Sequence, residues 1–545
     1  MAAQSSPHQL EFPDFYLPFD GKLSPRNRWV HLADLIPWDL IDERYKVGKK
    51  GPSNPTGVGG PAIPSRIAFG AMIIKEKLGC TDEETVAQII ENPYLQFFLG
   101  YTEMLRDIPF DPSMMVHFRK RFDETDYSEI NLAVIMDDPD LKDKELVETD
   151  GCSSEIDDME FEERLDPKDI EEEQCPEEEE NAAASDDTSE ENDGSEFKTN
   201  QGKLLIDASV TPADITYPTD LKLLNAVRVM LELIIDILHA PFKGIIPKPR
   251  TYRRVAQKEY LKITKLKRPG RKKIRKAIRK QLGYVKRDLE YIEQLIGQHG
   301  AQLSRLSKYQ YRCLLAANSI YRQQLEMWKN KTNRIDHRIV SLSQPWVRPI
   351  VRGKQSAKVE FGAKISISVL ADGYVTLDRM EWDAYNEGGD LIAQTEKYHD
   401  QFGYWPESVH ADKIYLNREN RKWCKEKGIR LSGPTLGRPC KQTDENTEQL
   451  KAEAKQQAKD GLDRNAVEGK FGNCKRKGTL NRVMAKLQVT SLSVINIGLI
   501  VLNLDKRQAK LFCILLKWLP QRRAQYIEEL LAYFDRARLL LKSSP

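Results

Sequence analysis

The spacing of apolar and polar positions divides the chain into a helical beginning, a patternless middle and a long mixed region. Near the start, Phe12 to Asp39 is rich in aromatic residues and prolines and reads as an irregular arm, and Gly51 to Pro64 reads as a loop. Ile67 to Leu78 keeps a helical apolar period. Gly79 and Cys80 then turn the chain, and Thr81 or Asp82 caps a second helix with Glu84 placed for a capping box. From Lys203 to Asp214 the run KLLIDASVTPAD is short, apolar and closed by Pro212, the pattern of a buried strand. Leu221 to Leu238 is an amphipathic helix, and Ile274, Ile278, Leu282, Leu289 and Ile292 extend a helical region to about Asn333.

Strand periods return after that region. Arg338 to Ser343 is one candidate, and Phe361 to Val369 and Tyr374 to Asp378 flank Asp372-Gly373, which reads as a two-residue hairpin turn. A helix from Asp390 to Phe402 leads to Pro406–Tyr415, where Val409 and Ala411 alternate with His410 and Asp412 as in a strand. A polar helix over Asn417 to Lys427 and a short strand over Ile429 to Ser432 follow. Lys441 to Asp460 is polar enough for a mobile loop or an exposed helix, and Arg464 to Gly478 reads as helical up to its glycines. Ser491 to Leu504 is too short to span a bilayer and carries Asn496 and Asn503, so it reads as a core helix. Leu511 to Leu541 is an amphipathic helical end suited to core packing or to dimer contact.

Charge sharpens this division. The 545 residues, a length of roughly three to four domains, carry a net charge of only +2. Residues 137–200 nonetheless hold 28 Asp and Glu against five Lys and Arg, the composition of a disordered linker. Such a segment could instead occupy a basic groove until DNA displaces it. Residues 243–287 reverse the balance, with 19 Lys and Arg and one acid. A long run of one sign is the footprint of phosphate binding more readily than of a solvated helix. Arg271, Lys272, Lys273, Arg275 and Lys276 form its densest part. His117, Arg119, Lys120 and Arg121 add positive charge beside the first helix pair, which is either a DNA-reading helix-turn-helix or an ordinary helical hairpin. The eight cysteines form no CxxC pair, which points to reduced thiols, and no apolar leader opens the sequence. A soluble cytoplasmic protein is expected.

Three acids stand out from this background. Asp207 ends an apolar run, Asp412 lies where a strand gives way to a helix, and Glu468 lies on a later helix. Asp207 alone could be an ordinary turn aspartate. Arg464 and Lys475, however, fall within roughly 40° of Glu468 on one helix face, at about 100° per residue. Clustered carboxylates beside cations suit hard divalent ions that activate an oxygen nucleophile at phosphorus.

These stretches resemble the DDE transposases of bacterial insertion sequences, in the group with an InsH-like N-terminal region. The resemblance runs through LPFDGKLSPRNRWVHLADLIPWD, ENPYLQFFLG, PFDPSMMVHFRKR, DASVTPADITYPTDLKLLN, SVHADKIYLNRENRKWC and RNAVEGKFGNCKRKGTLNRVMAKL. It implies that Asp207, Asp412 and Glu468 are the catalytic, metal-holding acids, with Arg464 and Lys475 as basic companions. Gly461 stands where many relatives carry a tyrosine.

The fold implied is a ribonuclease H-like mixed α/β sheet with a helical insertion, preceded by an all-α domain. The expected domains are a helical DNA-binding unit over 1–135, an acidic linker over 136–200, a catalytic domain over 201–505 with a basic insertion over 220–335, and a helical tail over 506–545. The implied cofactor is Mg²⁺ or Mn²⁺ as two ions. The implied partner is double-stranded DNA, terminal inverted repeats and target alike, engaged by a homodimer assembled on DNA. The implied reaction is strand cleavage and transfer of the 3′-hydroxyl ends. A metal-dependent nuclease without strand transfer and a non-catalytic DNA-binding relative are the alternatives, and three carboxylates in one place argue against the latter.

Overall fold

The computed structural model describes residues 23–46, 63–105, 107–138, 200–351, 359–434 and 447–511. The acidic segment over 139–199 and the tail beyond 511 lie outside them.

The first part is helical because its caps and its apolar spacing agree. Helices α1 (Arg28–Asp34), α2 (Trp38–Lys46), α3 (Ser65–Leu78), α4 (Asp82–Glu91), α5 (Pro93–Phe98), α6 (Met114–Phe118) and α7 (Glu124–Met136) follow one another. The stretch expected as an irregular arm is therefore helical from Arg28, where the Asn27 side chain accepts the Trp29 N–H. α3 ends at Gly79, whose φ of 66° is a left-handed cap. Thr81 caps α4 as expected, accepting the Glu84 N–H, but the capping box stays half-made because the Glu84 carboxylate accepts from Gln88 instead. Ala68, Phe69, Ala71, Met72, Ile73 and Ile74 bury α3 among Trp29, Trp38, Phe98 and Phe122.

The sheet has six strands: β1 (Lys203–Pro212), β2 (Arg348–Val351), β3 (Val359–Leu370), β4 (Val375–Glu381), β5 (Ser408–His410) and β6 (Arg430–Leu431). Its path runs β2-β3-β1-β5-β6, with β4 beside β2 on the outer edge of β3. β1 pairs antiparallel with β3 and parallel with β5, and β5 is parallel to β6. A Cβ on Gly362 would stand 2.0 Å from the Thr211 carbonyl oxygen, so only glycine allows β3 this approach to β1. The β3–β4 turn is longer than the two residues expected. Leu370 N–H donates to the Tyr374 carbonyl, and Gly373 at φ 75° takes the left-handed position of a three-residue loop.

Between β1 and β2 lie α8 (Asp220–His239), α9 (Arg253–Thr264), α10 (Arg271–Gly297) and α11 (Lys308–Asn330). They bury their own core, in which Leu224, Val227, Leu231 and Ile235 of α8 meet Leu282, Val285 and Ile292 of α10 and Ala317 and Ile320 of α11. Arg338 to Ser343 forms no strand, contrary to its period. Ile339 and Leu342 are drawn into this helical core, and the Ile339 N–H donates to the Gln323 side chain.

After the hairpin come α12 (Leu391–Phe402), α13 (Arg418–Glu426), α14 (Thr447–Lys477) and α15 (Gln488–Leu511). Of the two readings for the polar stretch, its described part from Thr447 is helical and largely exposed. α14 does not stop at its glycines. Gly461, Gly469 and Gly472 sit inside a 31-residue helix whose Val467, Phe471 and Cys474 pack on the sheet. Burial of that apolar stripe outweighs a cost of about 1 kcal/mol per glycine.

α15 is apolar and long enough to cross a membrane, yet two-thirds of its most apolar window is buried within the protein. It joins two cores. Ile497, Ile500, Val501 and Leu504 pack against α1–α7, while Ile495 and Leu499 pack against the sheet side. Asn503 accepts the Val375 N–H of β4 and donates to the Asn131 side chain of α7. Leu499→Ala and Leu504→Ala should each lose about 2–5 kcal/mol of stability. Because one helix serves both cores, hydrogen exchange should accelerate in α3 and in β4 for either variant. Acceleration confined to one side would show that the cores are independent.

Candidate active site

Alternate residues of a strand point to opposite faces, so Lys203, Leu205, Asp207 and Ser209 of β1 share one. α14 covers that face. Leu205 packs with Val467, Phe471 and Cys474, Lys203 Nζ lies 2.8 Å from Asp463, and Lys475 Nζ donates to Ser209 Oγ at 3.0 Å. Contacts at both ends make the helix run alongside the strand in the same direction. Asp207 lies between these two contacts along β1, half-buried, and accepts the Ala208 N–H at 2.7 Å.

Parallel pairing brings in the second acid. Lys203, Leu204 and Leu205 stand level with Ser408, Val409 and His410. Asp207 and Asp412 each follow the last of these pairs, Leu205 with His410, by two residues. Asp412 follows the end of β5, with its side chain 57% exposed, and its carboxylate accepts from Arg464 Nη1 at 3.0 Å. Glu468 lies one turn beyond Arg464 on α14 and is exposed. The structure thus joins Asp412 to Arg464 and Ser209, two residues after Asp207, to Lys475, and Glu468 lies between the two cations along that helix.

The donor set of the three acids is all oxygen, which fits hard cations such as Mg²⁺ or Mn²⁺. Asp207 is partly and Asp412 mostly open to solvent, so an ion has access. Arg464 and Lys475 counter the carboxylate charge nearby.

Three groups here carry no clear signal in the sequence. Tyr415 is fully buried, and its Oη has no hydrogen-bond partner among the described residues. Burial, then the carboxylates Glu387, Asp207 and Asp390, push its pKa up. His410 alternates with buried neighbours in the sequence but is itself fully buried. It faces Asp460 of α14, with Nδ1 3.8 Å from Oδ1. Asp214, just past β1, binds Arg482 and Lys486 and so ties the chain leaving α14 to the end of the strand that bears Asp207. The one signal for Asp214 is a second aspartate seven residues after Asp207, and nothing local marks its partners.

The basic stretch is accessible. Arg271, Lys272, Lys273 and Lys276 are exposed on the first turns of α10, and Arg275 stacks 4.5 Å from the Trp328 ring. A groove of about 850 Å³ between α8 and α9 is lined by Arg253, Arg254, Lys258, Lys262 and Lys265 together with Arg228 and Glu232. The N-terminal cations are less available than their sequence suggests. Arg119 is buried and donates to Asp82, and Arg121 lies over the Tyr45 ring, which leaves His117 and Lys120 exposed. α3 is largely buried, and Asp82, Glu83 and Glu84 lie in the first turn of α4.

Comparison with known proteins bears on these residues directly. Residues 409–505 match the family described as Transposase DDE domain, and residues 17–121 match the family described as Transposase domain (DUF772). The first span contains Asp412, Arg464, Glu468 and Lys475, while Asp207 lies outside both. An uncharacterized protein, ORF8 in the nfe locus of Rhizobium meliloti, is 38% identical over 102 residues, covering 19% of this chain and 46% of that protein. The chain therefore spans about half the length of this curated relative. No solved structure matches the chain.

The Asp214 clamp carries a pH signature. Its hydrogen bond from Lys486, with help from Arg482, holds the Asp214 pKa below its ordinary value of 3.8 against partial desolvation. A depressed carboxylate stabilises the fold fully above its unfolded pKa and loses that contribution as pH falls through the folded value. Asp214→Asn should cost about 1 kcal/mol at pH 7, given its solvent-exposed partners. The deficit should close as urea unfolding is repeated below about pH 4. A deficit that stays constant down to pH 2 would mean that the clamp is not electrostatic.

Proposed function

Because the chain belongs to the DDE transposases, we propose that it cuts DNA strands at the inverted repeats ending its own mobile element and joins the freed 3′-hydroxyls to target DNA. The observations that support this reading are the β1–β5 register, whose last pair lies two residues before both Asp207 and Asp412, and the contact of Asp412 with Arg464 on the helix bearing Glu468. A sheet antiparallel on one side of β1 and parallel on the other supports a ribonuclease H-like catalytic domain over 201–505. We read residues 1–135 as a helical unit that helps hold the element end through His117 and Lys120. Residues 136–200 are a linker, 220–335 a DNA-holding insertion and 506–545 a tail.

Asp207, Asp412 and Glu468 would hold the divalent ions. Bound there, Mg²⁺ or Mn²⁺ would make an oxygen nucleophile available at neutral pH and offset charge on the leaving oxygen. The carboxylates act as ligands and not as nucleophiles, so no covalent protein–DNA link forms. Arg464 contacts Asp412 and Lys475 contacts Ser209 in this structure. An incoming phosphate competes for both cations, and their positions flanking Glu468 would place the scissile phosphate over the acids. The exposed cations of α10 and the groove lined by α9 would hold duplex DNA by its backbone. The active assembly would be a cytoplasmic homodimer formed on DNA.

Asp207→Asn, Asp412→Asn and Glu468→Gln should each abolish cleavage of an inverted-repeat substrate while leaving its binding in gel-shift assays within about twofold. Each change removes a ligand charge at nearly constant volume. Cleavage at the parental rate by any one variant would remove that residue from the site.

Neutralising Arg271, Lys272, Lys273, Arg275 and Lys276 together should weaken binding to every DNA sequence alike. The slope of log affinity against log salt should flatten by about one unit for each phosphate no longer neutralised. An unchanged slope would place the DNA elsewhere.

A further inference from the structure

A second cluster of ligating groups lies beside the acids and plays no part in the reading above. His410 on β5 and Asp460 and Asp463 on α14 each offer one ligand atom, and these atoms lie within 4.8 Å of one another. His410 is fully buried. Its Nε2 is taken by Ser408 Oγ at 3.0 Å, so Nδ1 faces the carboxylates. Nδ1 stands 3.8 Å from Asp460 Oδ1, too far for a hydrogen bond, and has no other partner among the described residues. A buried ring nitrogen without a partner is costly.

We propose that His410, Asp460 and Asp463 form a binding site for one divalent transition ion of the zinc class, separate from the oxygen-only site of Asp207, Asp412 and Glu468. One imidazole and two carboxylates are a nitrogen–oxygen donor set that such ions prefer and Mg²⁺ does not. Ligand bonds of about 2.0–2.2 Å at a tetrahedral angle put donor atoms about 3.4 Å apart, so the observed spacing closes with small side-chain shifts. Arg430 and Lys203 now balance the two carboxylates, at 2.6 Å from Asp460 and 2.8 Å from Asp463. Both are roughly two-fifths exposed and can withdraw into solvent as a cation enters. The fourth position is left for water.

The placement gives the ion a task. His410 precedes Asp412 by two residues, and Asp463 precedes Glu468 by five. An ion shared between them ties the strand that supplies one acid to the helix that supplies another. It would fix the height of Glu468 over the sheet without touching the reacting DNA.

The test is zinc retention by the full chain, stripped with chelator, reloaded and dialysed in excess Mg²⁺ so that the oxygen-only site is occupied. One zinc per chain is expected, with X-ray absorption showing one imidazole among its ligands and a raised thermal midpoint. His410→Ala and Asp463→Asn should weaken binding about tenfold or more, whereas Asp207→Asn and Glu468→Gln should retain it. Asp463 is partly exposed, so its variant decides the matter if His410→Ala fails to fold. No retained zinc, or zinc lost in Asp207→Asn and kept in Asp463→Asn, would overturn the proposal.

Discussion

Three residue pairs between β1 and β5, Lys203 with Ser408, Leu204 with Val409 and Leu205 with His410, govern where every group of the candidate site stands. Parallel pairing points level residues to the same side of the sheet. Leu205 and His410 therefore face α14 together, and Asp207 and Asp412 each follow two residues on. A slip of one residue would turn the Asp207 side chain to the opposite face, where Leu204, Ile206 and Ala208 are buried. The odd positions of β1 resist that slip because α14 engages them at both ends, through Asp463 and Lys475.

This arrangement also explains how acids survive beside a core. Leu205, Val467, Phe471 and Cys474 seal the sheet under α14, and the carboxylates lie at the margins of that packing. Each is half-buried or exposed and has cations nearby, so none bears the full desolvation cost of a buried charge. The clamp of Arg482 and Lys486 on Asp214 holds the chain after α14 to β1 at the same end of the strand. A rigid helix above a pinned strand is a scaffold suited to holding ligands in place before substrate arrives.

Much of this is legible in the sequence where local pattern and tertiary demand agree. The strand around Asp207, the hairpin strands, the helices over 220–330 and the acid-bearing helix all announce themselves by period and punctuation. The failures come where tertiary burial overrides a local cue. Arg338 to Ser343 alternates like a strand, yet its apolar side chains complete a helical core. The glycines near Glu468 read as a helix end, yet a stripe from Val467 to Cys474 carries the helix past them. His410 looks like the polar half of an alternating strand, but it is buried together with its neighbours Val409 and Ala411. Its partners Asp460 and Asp463 are some fifty residues away and carry no local sign. The cations at 117–121 mislead for the same reason, since a charge count does not reveal that Arg119 is committed to Asp82.

The most direct test of the central claim is disulfide trapping of the register. Disulfides require Cα atoms about 4.4–6.8 Å apart, and neighbours level on adjacent parallel strands meet this. Asp207→Cys with Asp412→Cys, mildly oxidised as the folded protein and mapped by mass spectrometry, should yield the 207–412 cross-link in high yield. Leu205→Cys with His410→Cys, a pair in direct register, serves as the control for oxidation. If the control pair links and the acid pair does not, the two aspartates do not stand side by side, and the account of the site fails.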